Sequence, residues 1–281
     1  MQPPDIFDRA ARRRQRDRAA SPFAAHDFLR AAMLDGLVDR LGAVKRDFAD
    51  VLDLGCFNGG FAPPSPAARV ARVDPGFAFA RGAGGVQADE DRLPFADASF
   101  DLAVAAGTLD QVGDLPGALS LVRRVLRPDG LFLAAFLGGG TLSTLRGVLR
   151  EAEPERAVAR VHPMVDVRSA GDLLVRSGFA LPVADVETLT VRYRDLSRLL
   201  EDLRFSANGN VLAERHAISS AVLARAAAGF AARADAEGRT AERFDIVFLT
   251  GWAPSPDQPK PARRGSATTS LAQALRAPPA A

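Results

Sequence analysis

Three carboxylates and a glycine loop are the residues best able to do chemistry in this chain. Asp53-Leu54-Gly55-Cys56-Phe57-Asn58-Gly59-Gly60 follows the apolar run Ala49-Asp50-Val51-Leu52. Glycine removes the Cβ barrier, so backbone in such a loop can approach a ligand closely. Ligands of doubly wound sheets bind outside the carboxyl ends of the strands, where this loop would lie. The usual spacing is Gly-x-Gly-x-Gly; here Phe57 takes the middle glycine position. Asp74 ends a second candidate strand, Arg69–Asp74, and a carboxylate there can accept from both hydroxyls of a ribose. Asp89, at the end of the candidate strand Val86–Asp89, can meet an adenine amino group. Each has a plain alternative: an ordinary β-loop turn, an Asp-Pro-Gly turn at Asp74, and a solvated acidic run at Asp89-Glu90-Asp91.

The elements around these residues set the fold class. Phe100–Ala106 reads as a fourth strand and Leu131–Phe136 as a fifth. Between them Leu115, Leu119, Val122 and Leu126 line one helical face. Asp114 caps that helix, Pro116 sits in its first turn, and Arg127-Pro128-Asp129-Gly130 ends it. Strands alternating with helices predict a parallel sheet with crossover helices. Pro63, Pro64 and Pro66 fall where the first crossover helix should start, so that helix is very short, displaced or absent. Helices are expected at 26–44, 141–153, 169–177, 195–207 and 211–236, and strands near 180–192 and at Phe244–Leu249. Residues 7–20 read as a polar, exposed, Arg-rich helix or arm. The expected organisation is an N-terminal arm and helix (1–45), a main domain (46–252) with a helical insert near 195–236, and a tail (253–281).

Composition narrows the function classes. Lys and Arg number 36 against 34 Asp and Glu, a net +2. That balance, with no concentrated stripe, argues against nucleic acid as a partner. The Arg12-Arg13-Arg14 cluster reads as a solvated face, with docking of an acidic partner as the alternative. Cys56 is the only cysteine. It excludes an intrachain disulfide and a cysteine zinc site, and it suits a reducing, cytoplasmic setting. Having no base beside it in sequence, it reads as a small hydrophobe. The three histidines, His26, His162 and His216, make a His-rich metal site improbable; His162, and His216 in a helix, read as surface or packing residues. No apolar run is long enough to span a bilayer.

Larger blocks carry a resemblance. Val51-Leu52-Asp53-Leu54-Gly55-Cys56, Asp74, Leu93-Pro94-Phe95-Ala96-Asp97-Ala98-Ser99-Phe100-Asp101-Leu102 and Val125-Leu126-Arg127-Pro128-Asp129-Gly130 occur in the order of the methyltransferase type 11 family. Ile6-Phe7-Asp8-Arg9, Asp114–Leu119, Phe136–Arg146, Leu200-Glu201-Asp202-Leu203 and Arg264-Gly265-Ser266-Ala267-Thr268 resemble the complex I assembly factor 5 family. Malonyl-acyl-carrier methyltransferases are similar at a greater distance. The resemblance implies a Rossmann-like, seven-stranded, mostly parallel sheet with its last strand antiparallel. It implies S-adenosylmethionine (SAM) held by Asp53, Gly55, Cys56, Phe57, Gly59, Asp74, Asp89, Glu90 and Ala106. For the nearest family it also implies work on an arginine of a complex I subunit, by hydroxylation.

Three departures predict a cofactor held weakly or not at all. Phe57 replaces a glycine, the Pro63–Pro66 stretch removes a helix turn, and Asp110-Gln111-Val112 stands where relatives carry His-Trp-Val. Three readings result. The first is a SAM-dependent methyltransferase acting on a protein or small-molecule acceptor. The second is a degenerate assembly factor that binds a partner protein. The third is an arginine hydroxylase, for which the sequence shows no metal-holding cluster. No catalytic base stands out; Asp110 is the one well-placed acid.

Overall fold

The computed structural model describes residues 5–156, 158–258 and 270. Its centre is one seven-stranded sheet in the order β3-β2-β1-β4-β5-β7-β6. The strands are β1 (Asp50–Leu54), β2 (Arg69–Asp74), β3 (Val86–Gln87), β4 (Phe100–Ala106), β5 (Leu126–Leu137), β6 (Ala180–Tyr193) and β7 (Thr240–Trp252). The β1–β2, β1–β4, β2–β3 and β4–β5 pairs are parallel, whereas β7 runs antiparallel to β5 and β6. The strand order reverses between β1 and β4, which places the switch-point crevice above Gly55.

Eight helices flank the described sheet: α1 (Arg9–Ala19), α2 (Phe28–Gly42), α3 (Phe77–Gly82), α4 (Leu115–Val125), α5 (Ser143–Ala152), α6 (Val167–Arg176), α7 (Leu196–Phe205) and α8 (Ser220–Ala231). Strand β4 is buried at every residue, as a central strand covered on both faces must be. One face packs against α2, α5, α7 and α8, and the other against α4 and α6. Caps follow the sequence: Asp114 accepts from Gly117 N at 2.9 Å, and Pro116 sits in the first turn of α4.

Several expectations are met and several corrected. Residues 55–68 contain no helix, in keeping with the three prolines. Leu126–Gly130 belongs to β5, which begins directly at the end of α4. The last helix starts at Ser220 rather than at 211, leaving His216 exposed outside it. Strand β3 ends at Gln87, so Asp89 follows it by two residues instead of closing it. The Arg-rich N-terminus is a helix, but Arg12 and Arg16 are buried, so it is no solvated face. The Arg264–Thr268 block lies outside the described residues.

Helix α2 owes its close seat to Gly36. A Cβ there would meet the Phe248 ring at 2.6 Å, and Phe248 is fixed in β7 with Arg40 stacked 3.7 Å from its centroid. Gly36→Val should destabilise the fold by about 1–3 kcal/mol through overpacking. Urea unfolding checks this, and an unchanged midpoint would show that α2 can lift off the sheet at no cost.

Candidate active site

The switch-point crevice gathers most of the residues named from sequence. Gly55, with φ +66°, leaves no room for a Cβ, which would sit 2.4 Å from that of Thr108. Cys56 N donates to Val73 O at 2.9 Å, tying the loop to β2. Its thiol is buried and pushed up to about 12 by that burial, so it is no nucleophile at neutral pH. Gly59, at φ +74°, donates to Cys56 O at 2.8 Å and closes the turn. Ala106 is the buried last residue of β4.

Phe57 has a left-handed backbone, at φ +47°. A non-glycine residue there carries roughly 1–2 kcal/mol of strain. Two interactions offset it. Phe57 N donates to Asp74 at 3.0 Å, and the ring stacks on Phe23 with centroids 4.9 Å apart and meets Phe79 at 5.2 Å. The ring therefore neither swings out to solvent nor stands free. It lies buried in the crevice with the Arg16 guanidinium 3.9 Å above its centroid.

The acids of the crevice are occupied by the protein itself. Arg9, Arg12, Arg13 and Arg16 recur at i, i+3, i+4 and i+7, so they share one face of α1. Arg16 Nη1 lies 2.8 Å from Asp74, and its other nitrogen donates to Thr108 Oγ1 at 2.9 Å. Arg12 grips both oxygens of Glu90, at 2.6 and 2.8 Å, and donates to Thr108 O at 2.8 Å. Arg13 reaches Asp89 at 2.5 Å, and Arg9 pairs with Asp91. Asp74 also accepts from Gly76 N at 2.7 Å. Burial by itself raises the Glu90 carboxyl, but Arg12's charge and hydrogen bonds outweigh it and hold the group at about 2.

Asp53 is the exception. Both of its oxygens are buried without a hydrogen bond. Arg30 and Arg72 stand off at 3.8 and 3.9 Å. Burial pushes its carboxyl up to about 6.

A SAM site is therefore not present in this arrangement. The Asp74 carboxylate is already spent on Arg16, and the gaps left beside Phe57 and beside Glu90 are about 10 Å³ each. Such a gap holds roughly one water. The Asp53 oxygens alone among the crevice acids remain without a hydrogen bond.

A second region opens past Thr108. Asp110 and Gln111 form a short turn after β4, Leu109–Gln111. Both Asp110 oxygens are buried and unpartnered, as is His162 Nδ1. Burial pushes Asp110 up and His162 down, and each charge partly offsets the other's shift. His162 and Gln15 line a cavity of about 370 Å³ walled by Leu142, Leu145, Leu196, Leu200 and Leu203. His162 is thus a buried wall residue, held edge-on by Phe7 at 5.6 Å. Arg160 and Arg204 also line the cavity, and no Asp or Glu does. A groove with Arg146, Arg150, Arg156 and Arg160 adjoins it, with Glu153 as its one acid.

Sequence reasoning missed the burial of α1 against the crevice, Thr108 and this cavity. The i, i+3, i+4, i+7 arginine spacing, matched to Asp89-Glu90-Asp91, was a legible signal for the first. Thr108 and His162 carry no local signal. Among the described residues no cluster of three or more His, Cys, Asp or Glu could hold a metal ion. No helix there is long and apolar enough to cross a membrane.

Comparison with known proteins places the chain. The methyltransferase domain family of type 11 matches residues 52–134. Arginine-hydroxylase NDUFAF5, mitochondrial, of Danio rerio is 33% identical over 285 residues, covering 95% of this chain and 89% of that protein. The chain belongs to the NDUFAF5 family. Within reach of that family lies the malonyl-(acyl-carrier protein) O-methyltransferase of Methylovorus sp. (strain MP688), 33% identical over 75% of this chain and 77% of that one. The YcgJ protein of Bacillus subtilis shares the fold, with a TM-score of 0.57 at 16% identity, over 79% of this chain and 99% of that one. This NDUFAF5-family chain thus keeps the class I methyltransferase sheet while filling the crevice with its own α1.

Two outcomes follow from the ion pairs. Arg16→Ala leaves Asp74 buried beside no cation, and breaking a buried pair from one side costs about 3–5 kcal/mol; chemical denaturation measures it, and a loss under 1 kcal/mol would mean that α1 does not hold Asp74 in solution. The second concerns pH. The Glu90 carboxyl falls from 4.5 to about 2 on folding, so its stabilisation is complete above pH 4.5 and is lost as pH drops toward 2. The gap corresponds to about 3 kcal/mol. Thermal unfolding across that window should show the loss, and Glu90→Gln should flatten it.

Proposed function

We propose that this chain is a methyltransferase-fold protein that takes an apolar acceptor with an acidic end into the cavity beside His162. The observation carrying this reading is the lining itself: leucines for walls, Arg204 and the Glu153-paired Arg160 among them, and no carboxylate among the described lining residues. An acyl chain ending in a carboxylate matches that pattern, its tail desolvated by the leucines and its charge met by arginine. A volume of about 370 Å³ lies within the usual range for small-molecule pockets, roughly 300–1,000 Å³. The Arg146–Arg160 groove at the mouth suits an acidic carrier protein. The relative named for methylating malonyl on an acyl-carrier protein has an acceptor of this class. In the arrangement seen, with Asp74 held by Arg16, SAM should bind more weakly than 1 mM. One buried, inert cysteine suits a reducing, cytoplasmic setting.

One observation favours a second reading. The unpartnered Asp110 carboxylate behind His162 suits a cationic side chain, as a partner protein's arginine would supply to a protein related to an arginine-hydroxylase. Titration with decanoate separates the two. The acyl reading expects calorimetric binding that weakens at least tenfold on Arg204→Glu and is abolished by Leu200→Glu. Decanoate failing to bind, while an arginine-containing peptide binds and is lost on Asp110→Asn, establishes the second reading instead.

A further inference from the structure

The crevice that should hold a nucleoside is filled, and what fills it is a single helix. The manner of filling is specific. Four arginines on one face of α1 meet Asp74, Asp89, Glu90 and Asp91, with Arg9 reaching both Asp91 and Asp89. The two innermost pairs, Arg16–Asp74 and Arg12–Glu90, are almost completely buried. A guanidinium on Asp74 takes the hydrogen-bonding capacity a ribose would need, and its carbon lies 3.9 Å over the Phe57 ring. Helix and ligand cannot both have Asp74.

The helix is held at its N-terminal end by lighter fastenings than in its middle. Before it, Phe7 bridges Leu212, Asp8 N donates to Val211 O at 2.8 Å, and Asp8 pairs with Arg215 at 2.8 Å in a half-exposed contact. Within its last turn Asp17 accepts from Ala78 N at 2.9 Å at the surface, and past its end Phe23 is buried against Phe57 and Phe79. No covalent bond ties α1 to the crevice, since Cys56 is free. Beneath the helix the Phe57 ring lies across the crevice, and the loop and carboxylates around it remain. Gly55 and Gly59 keep their positive φ, and the Asp53 oxygens are buried without a hydrogen bond, Arg30 and Arg72 standing off at 3.8 and 3.9 Å. A crevice given over wholly to structure would not leave a buried carboxylate unsatisfied, because that costs about 1–3 kcal/mol or more.

We propose that α1 is an internal latch, an arginine helix occupying the nucleoside cleft in competition with an adenosyl cofactor, and that the cleft takes its ligand only when α1 swings out. The latch reaches the cavity as well. Gln15, between Arg12 and Arg16, lines its wall, and Phe7 touches His162. Lifting α1 therefore opens the cleft and the cavity together, so an acceptor that displaces Gln15 and Phe7 favours cofactor entry. The latch itself does not depend on which acceptor the cavity takes.

The test uses SAM and the full chain. Calorimetric titration should show a dissociation constant weaker than 1 mM for the wild type. Arg16→Gln and Arg12→Gln, each checked for folding by circular dichroism, should tighten it at least tenfold. Phe57→Gly, which leaves the Arg16–Asp74 pair in place, should gain less than Arg16→Gln. Amide hydrogen exchange of the wild type at 10 mM SAM supplies a readout that needs no variant: residues 9–19 should lose protection while α2 keeps its own. Micromolar SAM binding with α1 still protected overturns the latch. So does a folded Arg16→Gln variant that gains nothing, or a gain confined to Phe57→Gly. Each of these outcomes is independent of whether decanoate binds in the cavity.

Discussion

The buried pair of Arg16 and Asp74 is the constraint around which the rest of this crevice is arranged. Taking both ions out of water costs several kcal/mol each even after relaxation, and Coulomb attraction recovers this only if the remaining donors and acceptors are also met. They nearly are. Asp74 accepts from Arg16, Phe57 N and Gly76 N, while Arg16 donates to Asp74, Thr108 Oγ1 and Gly107 O. Each partner is therefore fixed for a reason. Gly76 must lack a side chain because a Cβ there would come 2.7 Å from that of Arg16. Phe57 must keep positive φ to aim its N–H at Asp74, and its ring then has nowhere to go but beneath the guanidinium.

The same electrostatics act with opposite sign a few ångströms away. Glu90 is held at about 2 by Arg12, and Asp53 is pushed up to about 6 because its cations stand too far off to hydrogen bond. For Glu90 the ionised form belongs to the folded state. For Asp53 ionisation works against folding, so its penalty fades as pH falls through 6 toward its ordinary 3.8. One cleft thus holds a carboxylate whose needs the protein has met and one whose needs it has not. That inequality, rather than the mere presence of acids, separates a structural ion pair from a place kept for a ligand.

The sheet was largely legible in the sequence because short apolar runs between turn residues leave little freedom. Strands at Arg69–Asp74 and Phe100–Ala106 were bounded to the residue. The proline stretch reported a missing helix because proline acts locally, through its own φ and absent N–H. What failed to show in the sequence was long-range. Arg12 and Glu90 are 78 residues apart, and composition alone treats both as surface charge. Phe57 looked like an obstruction viewed as a side chain in a glycine slot. Its role depends on Phe23, Phe79 and Arg16, none of them near it in sequence. His162 reads in the sequence as a surface or packing residue, and the cavity it lines is assembled from α1, α5, α7, α8 and loops between them, so no single segment could announce it.

Helix α1 divides the molecule's two recognition surfaces by side chain rather than by domain. Arg12 and Arg16 face a polar cleft in which every contact is charge-assisted. Gln15, one residue away on the helix, faces a cavity walled by leucine. A rigid helix cannot shift one of these faces without shifting the other, since 1.5 Å of rise and 100° of turn per residue fix them together. Closure of the cleft and shape of the cavity are therefore one variable. A point substitution at Gln15 should then alter the cleft it does not touch, and a charge change at Arg16 should alter the cavity it does not line. Phe57 belongs to the same arrangement: its ring gives the arginine helix an aromatic floor to rest on, and so bears on the position of both surfaces at once.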